Sequence, residues 1–111
     1  MTGVLRALGL CRRAGALICG APMIIESLRS KNPPFIVIES GDTSEGTHKK
    51  LSDKCLFYRI ERVRLDALGD ELARAVGKTG SLAAVAVTDE SLAALVKKEL
   101  CRVGICQQSG N

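Results

Sequence analysis

Two unbroken apolar stretches restrict the fold of this chain more strongly than anything else in it. Phe35-Ile36-Val37-Ile38 and Leu82-Ala83-Ala84-Val85-Ala86-Val87 lack the in-and-out alternation of a strand with one wet face. Each reads as a buried strand, and the second, apolar throughout, as a central one. Covering both faces of a sheet takes helices on each, and helical spacing surrounds both runs. The chain therefore reads as α/β: a small four-stranded mixed sheet with helices on both faces, one domain over 1–103, then a loose tail at 104–111.

The remaining elements fall between those runs. Thr2 caps a first helix whose apolar positions are Val4, Leu5, Leu8 and Cys11, with Arg12 and Arg13 in its last turn and Gly15 as its stop. Ala16-Leu17-Ile18-Cys19 is a short strand, and Gly20-Ala21-Pro22 joins it to a helix from Met23 to Arg29 carrying Ile24, Ile25 and Leu28. Pro22 suits a first helical turn, and Asn32-Pro33-Pro34 ends that helix. Glu39 to Ser44 is rich in turn formers and reads as a loop before a helix over 44–54, with Leu51 and Cys55 inward. Tyr58 to Leu65 is a strand so charged that it belongs at a sheet edge. Asp66 caps a fourth helix with Leu68, Leu72, Ala75 and Val76 as its buried stripe. Thr88 caps a fifth, with Leu92, Leu95, Val96, Leu100 and Val103 facing in.

Catalytic patterns are missing. Gly77-Lys78-Thr79 ends like a phosphate-binding loop, but the earlier glycine would fall at Leu72, inside a helix. The order is also reversed, running from helix to strand. His48 is the only histidine and reads as a solvated helix residue. The five cysteines are odd in number and lack C-x-x-C spacing, so no zinc site is signalled. Cys11, Cys19 and Cys55 read as core, and Cys101 and Cys106 as lying near an open tail. The expectation is a protein that is no enzyme and holds neither metal nor cofactor. No apolar run approaches the about 20 residues that cross a bilayer, and Arg6 interrupts the opening helix, which points to the cytoplasm and away from a membrane.

What remains is a binding surface. A glycine between a strand and a helix start lets backbone N–H groups approach an anion, with the helix dipole pointing outward. The net charge of +4 permits an acidic partner such as RNA. Arg12, Arg13, Lys49, Lys50 and Lys78 form the candidate basic cluster. For the arginine pair, helix-end chemistry and phosphate contact remain equally open.

Three phrases, in their order and spacing, carry a resemblance. LGLCRRAGALICG near the start, FIVIESGDTSEGTHKKLSDKC in the middle and LG…AVGK…AAVAVTD near the end resemble the ribosomal L-seven-Ae and L-thirty-e family, especially its small stand-alone bacterial members. The resemblance runs from about Leu5 to Leu95. It implies a three-layer α-β-α sandwich that binds kink-turn RNA, a sharply bent duplex with a short bulge flanked by sheared G·A pairs. In that family the strand-to-helix joint enters the groove at those pairs and a second loop packs on the bulged bases. Here the joint maps to Gly20, Ala21, Pro22 and Met23, and the loop to Lys78, Thr79, Gly80 and Ser81 through Ala83. RNA, recognised by shape, splayed bases and phosphates, suits such a surface.

Departures from the pattern sit at the joint. The family phrase Gly-x-Asn-Glu-x-x-Lys is here Gly20-Ala21-Pro22-Met23-Ile24-Ile25-Glu26. Two base-reading side chains are replaced by Pro22 and Met23, and Glu26 stands where a lysine would meet the RNA. The resemblance thus implies an RNA-binding accessory of the ribosome or translation machinery, with altered or weakened specificity. The alternative is a protein-interaction module of the same fold, with Pro22, Met23 and Ile24 as an apolar contact and a translation factor as partner.

Overall fold

The computed structural model describes residues 1–105. Its elements alternate as the sequence predicts: α1 (Thr2–Arg13), β1 (Leu17–Cys19), α2 (Ala21–Leu28), β2 (Ile36–Glu39), α3 (Glu45–Tyr58), β3 (Glu61–Arg64), α4 (Gly69–Ala75), β4 (Ala84–Val87) and α5 (Glu90–Arg102). The strand order is β1-β4-β2-β3. β4 runs antiparallel to both neighbours, whereas β2 and β3 run parallel. The sheet is thus mixed, β4 is central, and the charged β3 lies at an edge.

Two apolar clusters separate the layers. Ile36, Ile38, Val85 and Val87 pack with Val4, Leu8 and Cys11 of α1, Leu72 of α4, and Val96 and Leu100 of α5. On the opposite face Val37, Ala84 and Ala86 pack with Ile24 and Leu28 of α2 and with Leu51 and Cys55 of α3. All four residues of β2 and of β4 are buried, which is why neither strand alternates. This is an α-β-α sandwich, with α1, α4 and α5 on one face and α2 and α3 on the other. Among the described residues no helix is long and apolar enough to cross a membrane.

Several local expectations need correction. Glu39 is the last residue of β2, not the first of a loop, and it is fully buried. α3 runs past Lys54 to Tyr58, the first residue read as strand, because Arg59 closes it in the left-handed conformation. α4 starts at Gly69 instead of after Asp66, leaving Leu68 exposed outside its first turn. Of its expected stripe Leu72 and Val76 are buried, joined by Gly69 and Ala73, while Ala75 is half-buried. Asp89 rather than Thr88 caps α5, accepting the Leu92 N–H at 2.9 Å, and Val103 beyond the helix end is exposed. Thr2 is the first residue of α1, not its cap, and α2 begins at Ala21, two residues before Met23. The expected tail falls largely on residues 106–111, and Cys106 with it, outside the described residues; Ile105 packs against the core.

Cys11 and Cys55 are buried, Cys19 half-buried and Cys101 exposed. Burial raises the Cys11 thiol and pushes that of Cys55 up to about 11. At neutral pH a thiol reagent is expected to modify Cys101 readily and to leave Cys11 and Cys55 untouched until denaturant is added, as peptide mapping by mass spectrometry would show.

Candidate nucleic-acid interface

One end of the sheet collects the joint and the loop that the sequence singles out. Gly20 follows β1 with φ 96° and ψ 138°, a conformation open to glycine, and caps α2. An added Cβ would meet nothing within 4 Å, so the glycine serves its backbone angle and leaves the joint open to solvent. Its N–H donates to the Ala84 carbonyl at 2.9 Å, and its carbonyl accepts from Ile24 N at 3.1 Å. No side chain caps α2, and Pro22 has no N–H, so the first-turn donors left at this helix start are those of Ala21 and Met23.

The second loop ends at the same place. From Gly77 to Ala83 the chain returns along α4: Lys78 N donates to Ala73 O at 2.8 Å and Leu82 N to Gly69 O at 3.0 Å. Gly69 permits this approach, since a Cβ there would lie 2.9 Å from the Leu82 carbonyl oxygen. Gly77 and Gly80 take positive φ, and Lys78, Thr79, Gly80 and Ser81 are exposed. The loop runs straight into Ala84, the residue that accepts from Gly20. Joint and loop are therefore neighbours, tied by a backbone hydrogen bond.

The cations are arranged differently from their spacing in sequence. Arg12 and Arg13 lie at the far end of β1 from Gly20. There the Arg12 Nε donates to the Val76 carbonyl at 3.2 Å, beside the start of the loop and not at the end that meets Gly20. With Arg74, Gly9 and Gly77 they line a depression of about 380 Å³ where the loop begins. Arg12 and Arg13 lie in the last turn of α1, as helix-end chemistry requires, and Arg12 also caps the carbonyl that follows α4. Arg74 was missed; its place in the last turn of α4 was visible, its nearness to α1 was not. Lys49 and Lys50 are exposed on α3, across the sheet beside α2, and Lys49 Nζ is 3.3 Å from Asp53 Oδ2. Glu26 pairs with Arg29 at 3.2 Å, so the acidic group at the recognition position carries its own counter-ion. Met23 is 63% exposed whereas Ile24 is wholly buried, which removes Ile24 from the apolar contact of the alternative reading.

Beneath this end lies a cluster that the sequence did not disclose. Glu39 Oε1 accepts from Arg62 Nη1 at 2.6 Å, and its Oε2 is 2.7 Å from His48 Nδ1 and 3.6 Å from Arg64 Nε. A carboxylate between two guanidinium groups accepts, which puts the histidine hydrogen on Nδ1. His48 is therefore a partner of a buried carboxylate and not a merely solvated side chain. Arg64 also donates to the Ser40 carbonyl at 3.4 Å and the Thr43 carbonyl at 3.3 Å. The cluster ties β2, the edge strand β3 and the first turn of α3 together and orders the turn between β2 and α3.

Fold and geometry together define a class: a small α-β-α domain whose sheet end presents an open glycine joint against a basic loop. No family model matches the chain. Over 86 residues it is 31% identical to the RNA-binding protein YlxQ of Bacillus subtilis, covering 78% of this chain and 83% of that protein. Over 71 residues it is 34% identical to the RNA-binding protein YlxQ of Enterococcus faecium, covering 64% and 67% respectively. A solved protein of unknown function from Bacillus halodurans C superposes with TM-score 0.73 at 33% identity, covering 84% of this chain and 95% of that one. The 15.5kD RNA binding protein of Giardia lamblia shares the fold, with TM-score 0.74 at 15% identity over 92% of this chain and 85% of that one. The chain belongs to the YlxQ family.

Proposed function

We propose that this protein binds structured RNA through the Gly20 joint and the Lys78–Ala83 loop, as a non-enzymatic accessory of the ribosome or translation machinery in the cytoplasm. The observation that carries this reading is the hydrogen bond from Gly20 to Ala84, which holds an open helix start beside an exposed basic loop. The names of the YlxQ relatives support RNA as the ligand. The resemblance to the L-seven-Ae and L-thirty-e family supports a kink-turn as its shape. Pro22 and Met23 cannot read base edges by hydrogen bonds, and Glu26 is held by Arg29. Recognition here rests on backbone shape, the loop and phosphate contacts, with less base discrimination than the family phrase provides.

A gel-shift titration against a kink-turn and a straight duplex of equal length, at two salt concentrations, tests this. Preference for the kink-turn supports the reading. Equally weak binding to both removes the specific part of it, and a translation factor recovered from a pull-down without RNA would favour the protein-interaction alternative, with exposed Met23 as its contact. Lys78→Ala is expected to weaken every RNA by a similar factor and to flatten the slope of log K against log salt by about 1, because one phosphate contact releases about one counterion.

A further inference from the structure

We propose that the opposite end of the sheet carries a second nucleic-acid contact, a groove that seats an unpaired nucleotide of an RNA strand. An open groove of about 680 Å³ lies where β2 and β3 begin, lined by Lys31, Asn32, Phe35, Arg59 and Thr88 among others. The chain has two phenylalanines, one tyrosine and no tryptophan. Of the three rings, Phe35 lines this groove, Phe57 stands exposed near the end of α3, and Tyr58 packs against the core under α3. Phe35 is 43% exposed and Phe57 is 75% exposed, and Phe57 meets the half-buried Tyr58 edge-on with ring centroids 4.9 Å apart. The half-exposed Phe35 presents a stacking face inside the groove, and every base has a face to offer it.

Arg59 adds an independent sign. Among the described residues it is the only non-glycine with positive φ, at 59°. It occupies the position after a helix where glycine is unstrained. The backbone accepts an unfavourable conformation there and gains an arginine in the lining that holds Phe35. Lys31 and Arg59 make no ion pair among the described residues, whereas the acidic lining residue Glu61 is taken up by Lys97 at 3.0 Å. Asp89, next to Thr88, is engaged in capping α5. Cations for phosphate, the Phe35 ring for a base, and Asn32 and Thr88 for its polar edge make up the chemistry of a nucleotide site. Its open shape suits a strand passing through rather than an enclosed small molecule. The site is independent of the Gly20 end.

Fluorescence anisotropy with a labelled, unpaired oligouridine and the full chain tests it. Phe35→Ala and Arg59→Gly should each weaken oligouridine binding roughly tenfold, the scale of losing one stacked base or its cation. Both should leave structured-RNA binding unchanged. Arg59→Gly should also keep or raise the melting temperature, because glycine relieves the left-handed residue, so its loss of binding is no folding defect. Unchanged oligouridine affinity in both variants would overturn the proposal. So would loss confined to Lys78→Ala, which puts the strand on the first loop, or uridine monophosphate binding as tightly as the oligomer. Self-association that Phe35→Ala abolishes, with no oligouridine bound by the parent protein, would make this a protein contact and overturn it as well. A failure of structured-RNA binding with oligouridine binding intact would remove the Gly20 reading alone.

Discussion

Replacing Pro22, Met23 and Glu26 together by asparagine, glutamate and lysine is expected to raise kink-turn affinity by at least about 30-fold, read by gel shift or calorimetry. The estimate follows from two regained base-edge contacts at ~1–3 kcal/mol each, of which ~2 kcal/mol in total is the cautious end. The exchange of a carboxylate for an ammonium near phosphates adds to it. Little should be lost elsewhere, since Pro22, Met23 and Glu26 are all exposed and only the exposed Glu26–Arg29 pair is broken. Binding to a straight duplex should rise only by the charge change. A large selective gain would identify a drifted site on an intact scaffold. If neither RNA responds, the joint does not face the RNA, and the protein-interaction reading takes its place.

The second large effect concerns stability. Glu39→Ala should cost about 3 kcal/mol, since it removes the acceptor of two short charge-assisted bonds and leaves Arg62 without its partner at the sheet edge. For a domain of this size that lowers the melting temperature by roughly 10–20 °C, measurable by circular dichroism or calorimetry. The figure lies at the low end for broken buried pairs because Arg62, Arg64 and His48 retain access to water and can be rehydrated. Glu39→Gln keeps the shape and one acceptor and should cost less. A drop of only a few degrees for the alanine variant would mean that desolvation of Glu39 already offsets its bonds. The turn over 40–44, which Arg64 holds by two carbonyls, should then also keep its order.

The layers and the strand positions were legible in local pattern. Uninterrupted apolar runs marked β2 and β4, alternating charges marked β3 as an edge, and Gly20 followed by Pro22 marked the joint. Glu39 was not legible, because Glu-Ser-Gly-Asp carries the local chemistry of a turn and nothing nearby signals a partner. Its partners come from the parallel register of β3, which sets Val37 beside Arg62 and Glu39 beside Arg64, and from α3 packed across them. The same limit misplaced the arginine pair. Arg12 and Arg13 are close to Gly20 along the chain but lie beyond the other end of β1, and only the contact with Val76 joins them to the loop. The fourth helix shifted for a related reason: Asp42 Oδ1 accepts the Gly69 N–H at 2.8 Å, a long-range bond that outweighs the local capping preference of Asp66.

The place of β4 in the sheet has a consequence for synthesis. The strand made last is inserted between β1 and β2, which have no other link within the sheet. While the chain emerges, β2, α3 and β3 can assemble as a parallel unit, but β1 has nothing to pair with until residues 84–87 arrive. Gly20 finds its acceptor, Ala84, on that same late segment. The joint proposed for RNA is thus completed only once residues 84–87 have been made, with α5 still to follow.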